Sequence, residues 1–166
     1  MRLFVAIKLS DTMKDALINA QNEMYDHGVR GNYIKEENLH ITLAFIGEYT
    51  DPQAVMDALS FVSFSSFTIE LDCMGCFGDL WWAGMKESAP LNAVVRRIRR
   101  AFAEKNIPYD RKRFSPHITL IRKASGEIPG IHPAPVIMTV TSISLMRSDR
   151  GRNGMIYTEL GSIEAQ

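Results

Sequence analysis

The stretches NLHITLAFIG at residues 38–47 and SPHITLIRKA at residues 115–124 share the tetrapeptide H-I-T-L. His40 and His117 are thus two of only four histidines, placed in matching surroundings. Both stretches are rich in β-branched and apolar residues, and both are expected to be strands. Side chains alternate along a strand. His40 and Thr42 then share one face, with Ile41 and Leu43 on the other. His117 and Thr119 share a face in the same way, with Ile118 and Leu120 opposite. Each strand can bury an aliphatic side while presenting an imidazole beside a hydroxyl.

Working outward, RLFVAIKL alternates and predicts a strand from Arg2 to Leu9. The following segment, opened by Ser10 or Asp11 and closed by Gly28, predicts a helix carrying Met13, Leu17 and Met24 on one side. A second helix begins at Thr50 or Asp51 with Pro52 in its first turn. FTIELDCMGCF and LWWAGMK read as strands joined at Gly78–Asp79. SAPLNAVVRRIRRAFAEKN is a helix with Leu91, Val94, Val95, Ile98 and Phe102 in one apolar stripe. VIMTVTSISLMRS and GMIYTELGSI read as strands forming a hairpin around DRGRN. Pro129, Pro133 and Pro135 mark an irregular connector before it. Strict β-α alternation is lost in the second half, so a mainly antiparallel α+β fold is expected. Each half holds a long helix followed by an H-I-T-L strand. Two similar lobes, with those strands side by side, would bring both histidines into one cleft.

A chain of 166 residues, 46% apolar and 23% charged, suits one ordinary globular domain over residues 1–166. Nineteen basic and nineteen acidic residues give zero formal net charge, which argues against a bulk electrostatic grip on long nucleic acid. No apolar run approaches the roughly 18 residues of a membrane helix. The opening MRLFVAIKLS alternates like a strand and lacks a small-residue cleavage site, so it reads as mature protein, with the cytoplasm as the expected compartment. The two cysteines, Cys73 and Cys76, form C-x-x-C. No second ligand pair completes a zinc site, and a turn and strand follow where a redox motif needs a helix, so they read as ordinary cysteines near a strand end.

Two imidazoles can serve as general base and general acid near neutral pH, and two threonine hydroxyls can donate to the oxygens of an anion. No conventional serine or cysteine nucleophile motif, phosphate-binding glycine loop or metal cluster accompanies them. Metal-free phosphoester hydrolysis fits this set best. One histidine takes a proton from water, and the other gives a proton to the leaving oxygen across phosphorus. A single histidine on a strand is usually a surface or hydrogen-bonded residue. Two with threonine two places on, in a chain of eight threonines, are harder to ascribe to chance. His27 and His132 lack that context and read as a helix-end and a loop residue.

With both motifs placed, the chain resembles the two-histidine phosphoesterases, and within them the RNA 2′,3′-cyclic phosphodiesterase, or LigT-like 2′-5′ RNA ligase, family. RLFVAIKLS, NLHITLAFIGE, LWWAGM, KRFSPHITLIR and the closing LMRSDRGRNGMIYTEL carry the likeness. The resemblance implies a bilobed α+β fold with pseudo-two-fold symmetry: duplicated antiparallel sheets, flanking helices and a central cleft bearing two H-x-T-x motifs. It implies hydrolysis of cyclic phosphate ends to 2′-phosphomonoesters with no metal and no nucleotide cofactor. By analogy His40 is the proton donor and His117 the base, roles that the residues by themselves do not distinguish. Thr42 and Thr119 would hold phosphate oxygens.

The family places an aromatic residue before the first motif strand, for which Tyr33 is the nearest candidate, and an arginine after the second motif, where Arg122 stands. Arg122 lies five places after His117, so simple alternation turns it to the opposite face unless a bulge, strand end or twist intervenes. Phe114 is a candidate for stacking on a base. On the helix, Arg96, Arg99 and Arg100 read as a solvated face. Arg111, Lys112 and Arg113, running into the second motif, are placed to steer an RNA end.

Two other readings stay open. The same pair could join or cleave a 2′-5′ bond, since one acid–base pair serves both directions. A binding module for RNA ends without turnover is the third. RNA ends or nucleotides with a cyclic phosphate are the expected partners, no membrane is expected, and a monomer is the default.

Overall fold

β1 (Arg2–Lys8) buries five consecutive residues, Leu3 to Ile7, which marks a strand covered on both faces. The computed structural model describes all residues from Met1 to Gln166. After β1 come α1 (Asp11–Asp26), β2 (Arg30–Tyr33), a 3₁₀ turn (Glu36–Asn38), β3 (His40–Glu48), α2 (Pro52–Leu59), β4 (Phe67–Phe77) and β5 (Leu80–Met85). Then follow α3 (Ala89–Glu104), β6 (Ile118–Ser125), β7 (Ile137–Val140), β8 (Ser142–Gly151) and β9 (Gly154–Glu164). The helix starts obey the expected chemistry. Ser10, Asp51 and Ser88 each accept a hydrogen bond from the backbone N–H three residues on.

The strands form two antiparallel sheets, ordered β3-β1-β8-β9 and β2-β6-β5-β4-β7. Read from the motif strands outward, β3-β1-β8-β9 matches β6-β5-β4-β7, with β2 added beyond β6. The match extends to register. Thr42 pairs with Ala6 and Ala44 with Val5, so β3 carries one extra residue there. Thr119 pairs with Trp82 and Ile121 with Trp81, the same irregularity at the same place after the motif. The α+β, two-lobed duplicated architecture is therefore present down to its β-bulges. One core of 38 buried residues draws on both sheets and all three helices. α1 packs against β6 and β7, and α3 against β3 and β4, so helices tie the lobes together. No helix is long and apolar enough to cross a membrane.

The motif strands lie one in each sheet, β3 paired with β1 alone and β6 between β2 and β5, and they meet across the junction of the lobes. Two expectations need correction. VIMTVTSISLMRS is not one strand, because the chain passes from one sheet to the other at Thr141, between β7 and β8. The apolar positions slip phase there, from Met138 and Val140 to Ile143 and Leu145, a break that a bulge within one strand would also give. The edge strand β2 has no counterpart in the expected order, since RGNY is short and polar. Gly31 sits there at φ 155°, with space for a Cβ filled by the Arg122 and Lys123 carbonyl oxygens at 2.8 and 2.7 Å.

Candidate active site

His40 opens β3 and His117 directly precedes β6, so both imidazoles stand at the entrance of a motif strand. In each case the residue two positions earlier supplies a carbonyl to the ring. His40 Nδ1 lies 2.7 Å from the Asn38 carbonyl oxygen, and His117 Nδ1 lies 2.7 Å from that of Ser115. A carbonyl can only accept, so each Nδ1 carries the proton. Nε2 is left as the nitrogen that gains or loses one. His40 Nε2 is 2.9 Å from Thr42 Oγ1, whose hydroxyl donates to it when the ring is neutral.

Both histidines, Thr42, Thr119 and Arg122 line one open cleft of about 800 Å³ between the lobes. Arg122 reaches it because of the bulge. The extra residue in β6 leaves Leu120 and Ile121 both buried, which reverses the alternation and returns Arg122 to the face of Thr119. The same device in β3 leaves Leu43 and Ala44 both buried and brings Phe45 to the cleft beside Thr42. The cleft-lining pattern is thus i, i+2, i+5 on both strands: His40, Thr42, Phe45 and His117, Thr119, Arg122.

Each imidazole is also flanked by two aromatic rings. Phe4 and Tyr157 stand 5.1 and 5.2 Å from His40, centroid to centroid. Phe77 and Trp82 stand 5.4 and 6.1 Å from His117. Phe4, Ala6 and Met146 form a small apolar floor against which Tyr157 packs. This enclosure sets the electrostatics of His40. Burial, chiefly, pushes its pKa below the ordinary value of 6.5, and the positive charges of Arg122 and His117 add to that. The Asn38 carbonyl opposes the shift by favouring the protonated ring.

Two of the candidate residues lie elsewhere. Tyr33 donates its hydroxyl to the Val29 carbonyl at 2.9 Å, packs against the core, and is not among the cleft residues. Phe114 is half-buried against the core and also outside the lining. The rings beside the imidazoles come instead from β1, β4, β5 and β9, whose proximity depends on sheet order and leaves no local signal. Arg111, Lys112 and Arg113 are exposed and outside the lining, whereas Arg2, Lys123 and Arg150 are within it. His27 caps α1, with Nδ1 2.8 Å from the Glu23 carbonyl, and His132 is exposed in the connector before β7. Cys73 and Cys76 are free and exposed on β4.

Paired imidazoles on equivalent strands of two lobes, facing one cationic cleft with hydroxyls beside them, define the two-histidine phosphoesterase class. The comparisons place the chain within it: residues 25–152 match the 2′-5′ RNA ligase superfamily, to which the chain belongs. It is 31% identical over 153 residues to the RNA 2′,3′-cyclic phosphodiesterase of Geobacillus stearothermophilus, covering 84% of this chain and 49% of that relative. It therefore spans about half of that protein. It is 29% identical to the RNA 2′,3′-cyclic phosphodiesterase of Aeropyrum pernix, covering 92% of this chain and 97% of the relative. Escherichia coli LigT, solved in complex with 3′-AMP, superposes with a TM-score of 0.88 at 27% identity, over 99% of this chain and 97% of LigT.

Proposed function

We propose that this chain hydrolyses the 2′,3′-cyclic phosphate at RNA ends to a 2′-phosphomonoester, acting as one bilobed unit over residues 1–166. Water attacks phosphorus, the bond to the 3′-oxygen breaks, and the product carries a 2′-phosphate and a 3′-hydroxyl. His117 Nε2 takes the proton from water. His40 Nε2 gives a proton to the departing 3′-oxygen. Thr42, Thr119 and Arg122 hold the non-bridging oxygens as charge builds on them.

The observation that carries this reading is the pair of 2.7 Å contacts from the Nδ1 atoms to the carbonyls of Asn38 and Ser115. They fix both rings with the working nitrogen toward the cleft. The names of the relatives, RNA 2′,3′-cyclic phosphodiesterases, support the substrate class, and the 3′-AMP complex of LigT supports a nucleotide in the cleft.

In the free cleft His40 is held toward its neutral form, the wrong form for an acid. The substrate corrects this. A phosphodiester brings a negative charge next to the ring and pairs with Arg122, which counters one of the causes that lower the His40 pKa. The proton donor is thus assembled by the substrate.

The test uses an RNA oligonucleotide ending in a 2′,3′-cyclic phosphate, with EDTA present throughout. The expected product gains the mass of one water, loses phosphate to a phosphomonoesterase, and has its phosphate on the 2′-oxygen. A 3′-phosphate product, or activity abolished by EDTA, contradicts the mechanism. Joined RNA strands in place of the hydrolysis product identify the ligation reading instead.

A further inference from the structure

The chain as a whole is electrically balanced, with nineteen basic and nineteen acidic residues, but its cleft is not. Arg2, Arg122, Lys123 and Arg150 line it, and no aspartate or glutamate does. One cyclic phosphodiester carries a single negative charge. Arg122, beside the motif threonine Thr119, is placed to meet it. Arg2 and Arg150 remain as a separate pair on the other lobe, exposed and without an ion pair or hydrogen bond to any side chain. Exposed cations with no carboxylate partner, gathered in a cleft, are a site for anions.

The pseudo-symmetry gives this pair a definite position. Phe45 stands where Arg122 stands in the other lobe, five residues after the motif histidine. The Arg2 guanidinium lies over the Phe45 ring, 5.4 Å from its centroid. A cation is thus restored at the place equivalent to Arg122, supplied by the neighbouring strand and steadied by a cation–π contact. Arg2 pairs with Ser148 on β8, and Arg150 follows two residues on, so Arg150 shares that end of the cleft. Thr42 pairs with Ala6 and Phe45 with Phe4. The ring beneath the guanidinium therefore stands about 7 Å along the sheet from the motif threonine, at about 3.3 Å per strand residue. That separation is on the scale of one step of a sugar-phosphate backbone.

We propose that Arg2, on Phe45, and Arg150 form a second phosphate subsite, which holds the phosphate on the 5′-oxygen of the nucleotide whose cyclic phosphate is opened. The proposal rests on the function inferred above. It makes the preferred substrate a nucleotide with a phosphate at each end, whether that 5′-phosphate is free or links to the rest of an RNA strand.

Three substrates test it: a nucleoside 2′,3′-cyclic phosphate, the same compound with a 5′-phosphate, and a dinucleotide ending in the cyclic phosphate. Wild type is expected to show kcat/KM about 10-fold or more higher on the second and third than on the first, the size of a charge-assisted phosphate contact. Arg2→Ala and Arg150→Ala each reduce that ratio several-fold, the double variant brings it near one, and Arg2→Lys restores part of it. Arg96→Ala, on the exposed face of α3, keeps the wild-type ratio. Equal kcat/KM on all three substrates overturns the subsite and leaves the function standing. A gain for the dinucleotide alone also overturns it, since contacts to the added nucleoside then replace the phosphate. Turnover of none of the three overturns the function, and the subsite with it.

Discussion

Replacing Arg122 by methionine separates an electrostatic role from a strand-end position, because the side chain is exposed and makes no hydrogen bond or ion pair within the protein. The fold should therefore be unaffected. A hydrogen bond to a charged group contributes about 1.5–3 kcal/mol. If Arg122 holds a phosphate oxygen through the transition state, Arg122→Met lowers kcat/KM about 10- to 150-fold. A second effect comes from the same charge. Arg122 is one of the groups holding the His40 pKa down, after burial itself. Its removal raises that pKa toward the ordinary value. In a profile of kcat/KM against pH, the two histidines produce a bell, one limb of which is set by His40. That limb then moves to higher pH in Arg122→Met. The assay is steady-state hydrolysis of a cyclic phosphate across the pH range, with circular dichroism to check the fold. Activity within twofold of wild type, with neither limb moved to higher pH, would falsify the reasoning and make Arg122 a solvated residue on a bulged strand.

The remaining predictions concern the supports of the site. In Gly75→Ala an ideal Cβ would lie 2.4 Å from the Trp82 ring, against about 3.5–4.0 Å for ordinary carbon contacts. The indole beside His117 must shift by about 1 Å, so kcat should fall about 10- to 100-fold, and a wild-type kcat would show that the ring does not position His117. Gln21 donates at 2.9 Å to the Ile34 and Leu120 carbonyl oxygens, tying α1 to the second motif strand. Gln21→Leu should cost about 2–4 kcal/mol in urea unfolding, and a change under about 0.5 kcal/mol would contradict that role. Because the folded pKa of His40 lies below 6.5, the unfolded chain binds more protons in the window between the two values. Stability from this group is complete above the unfolded pKa and is lost as pH falls through the window. Wild type should therefore lose more Tm than His40→Gln as pH falls below about 6.5, and equal losses would count against a depressed His40.

The central pair was legible because its signal is local and repeated. A strand face needs only alternation, so the joint orientation of His40 with Thr42 and of His117 with Thr119 follows from two residues of spacing. Arg122 shows where that logic ends. Its parity is wrong until one extra residue in β6 reverses the alternation, and the paired apolar residues Leu120 and Ile121 are the trace of that bulge. The matching pair Leu43 and Ala44 in β3 marks the other. The tertiary neighbours were beyond reach. Phe4 and Tyr157 meet His40, and Phe77 and Trp82 meet His117, through sheet order alone. Tyr33 and Phe114, nearer to the motifs in sequence, pack on the core. Sequence proximity pointed to aromatic residues of the right kind in the wrong places. The crossing at Thr141 leaves only a slip of apolar phase between Val140 and Ile143, and a strand pattern records which faces are buried, not which sheet buries them.

The proposed hydrolysis requires an acid–base pair made of His40 and His117, and single-turnover rates of His40→Ala and His117→Ala on an RNA with a 2′,3′-cyclic phosphate end test that pair most directly. Each variant, folded and still binding the RNA, should open the ring about 100- to 10,000-fold more slowly than wild type, the range for loss of a positioned proton-transfer group. Either variant turning over at more than about a tenth of the wild-type rate would remove that histidine from the chemistry and the two-histidine mechanism with it.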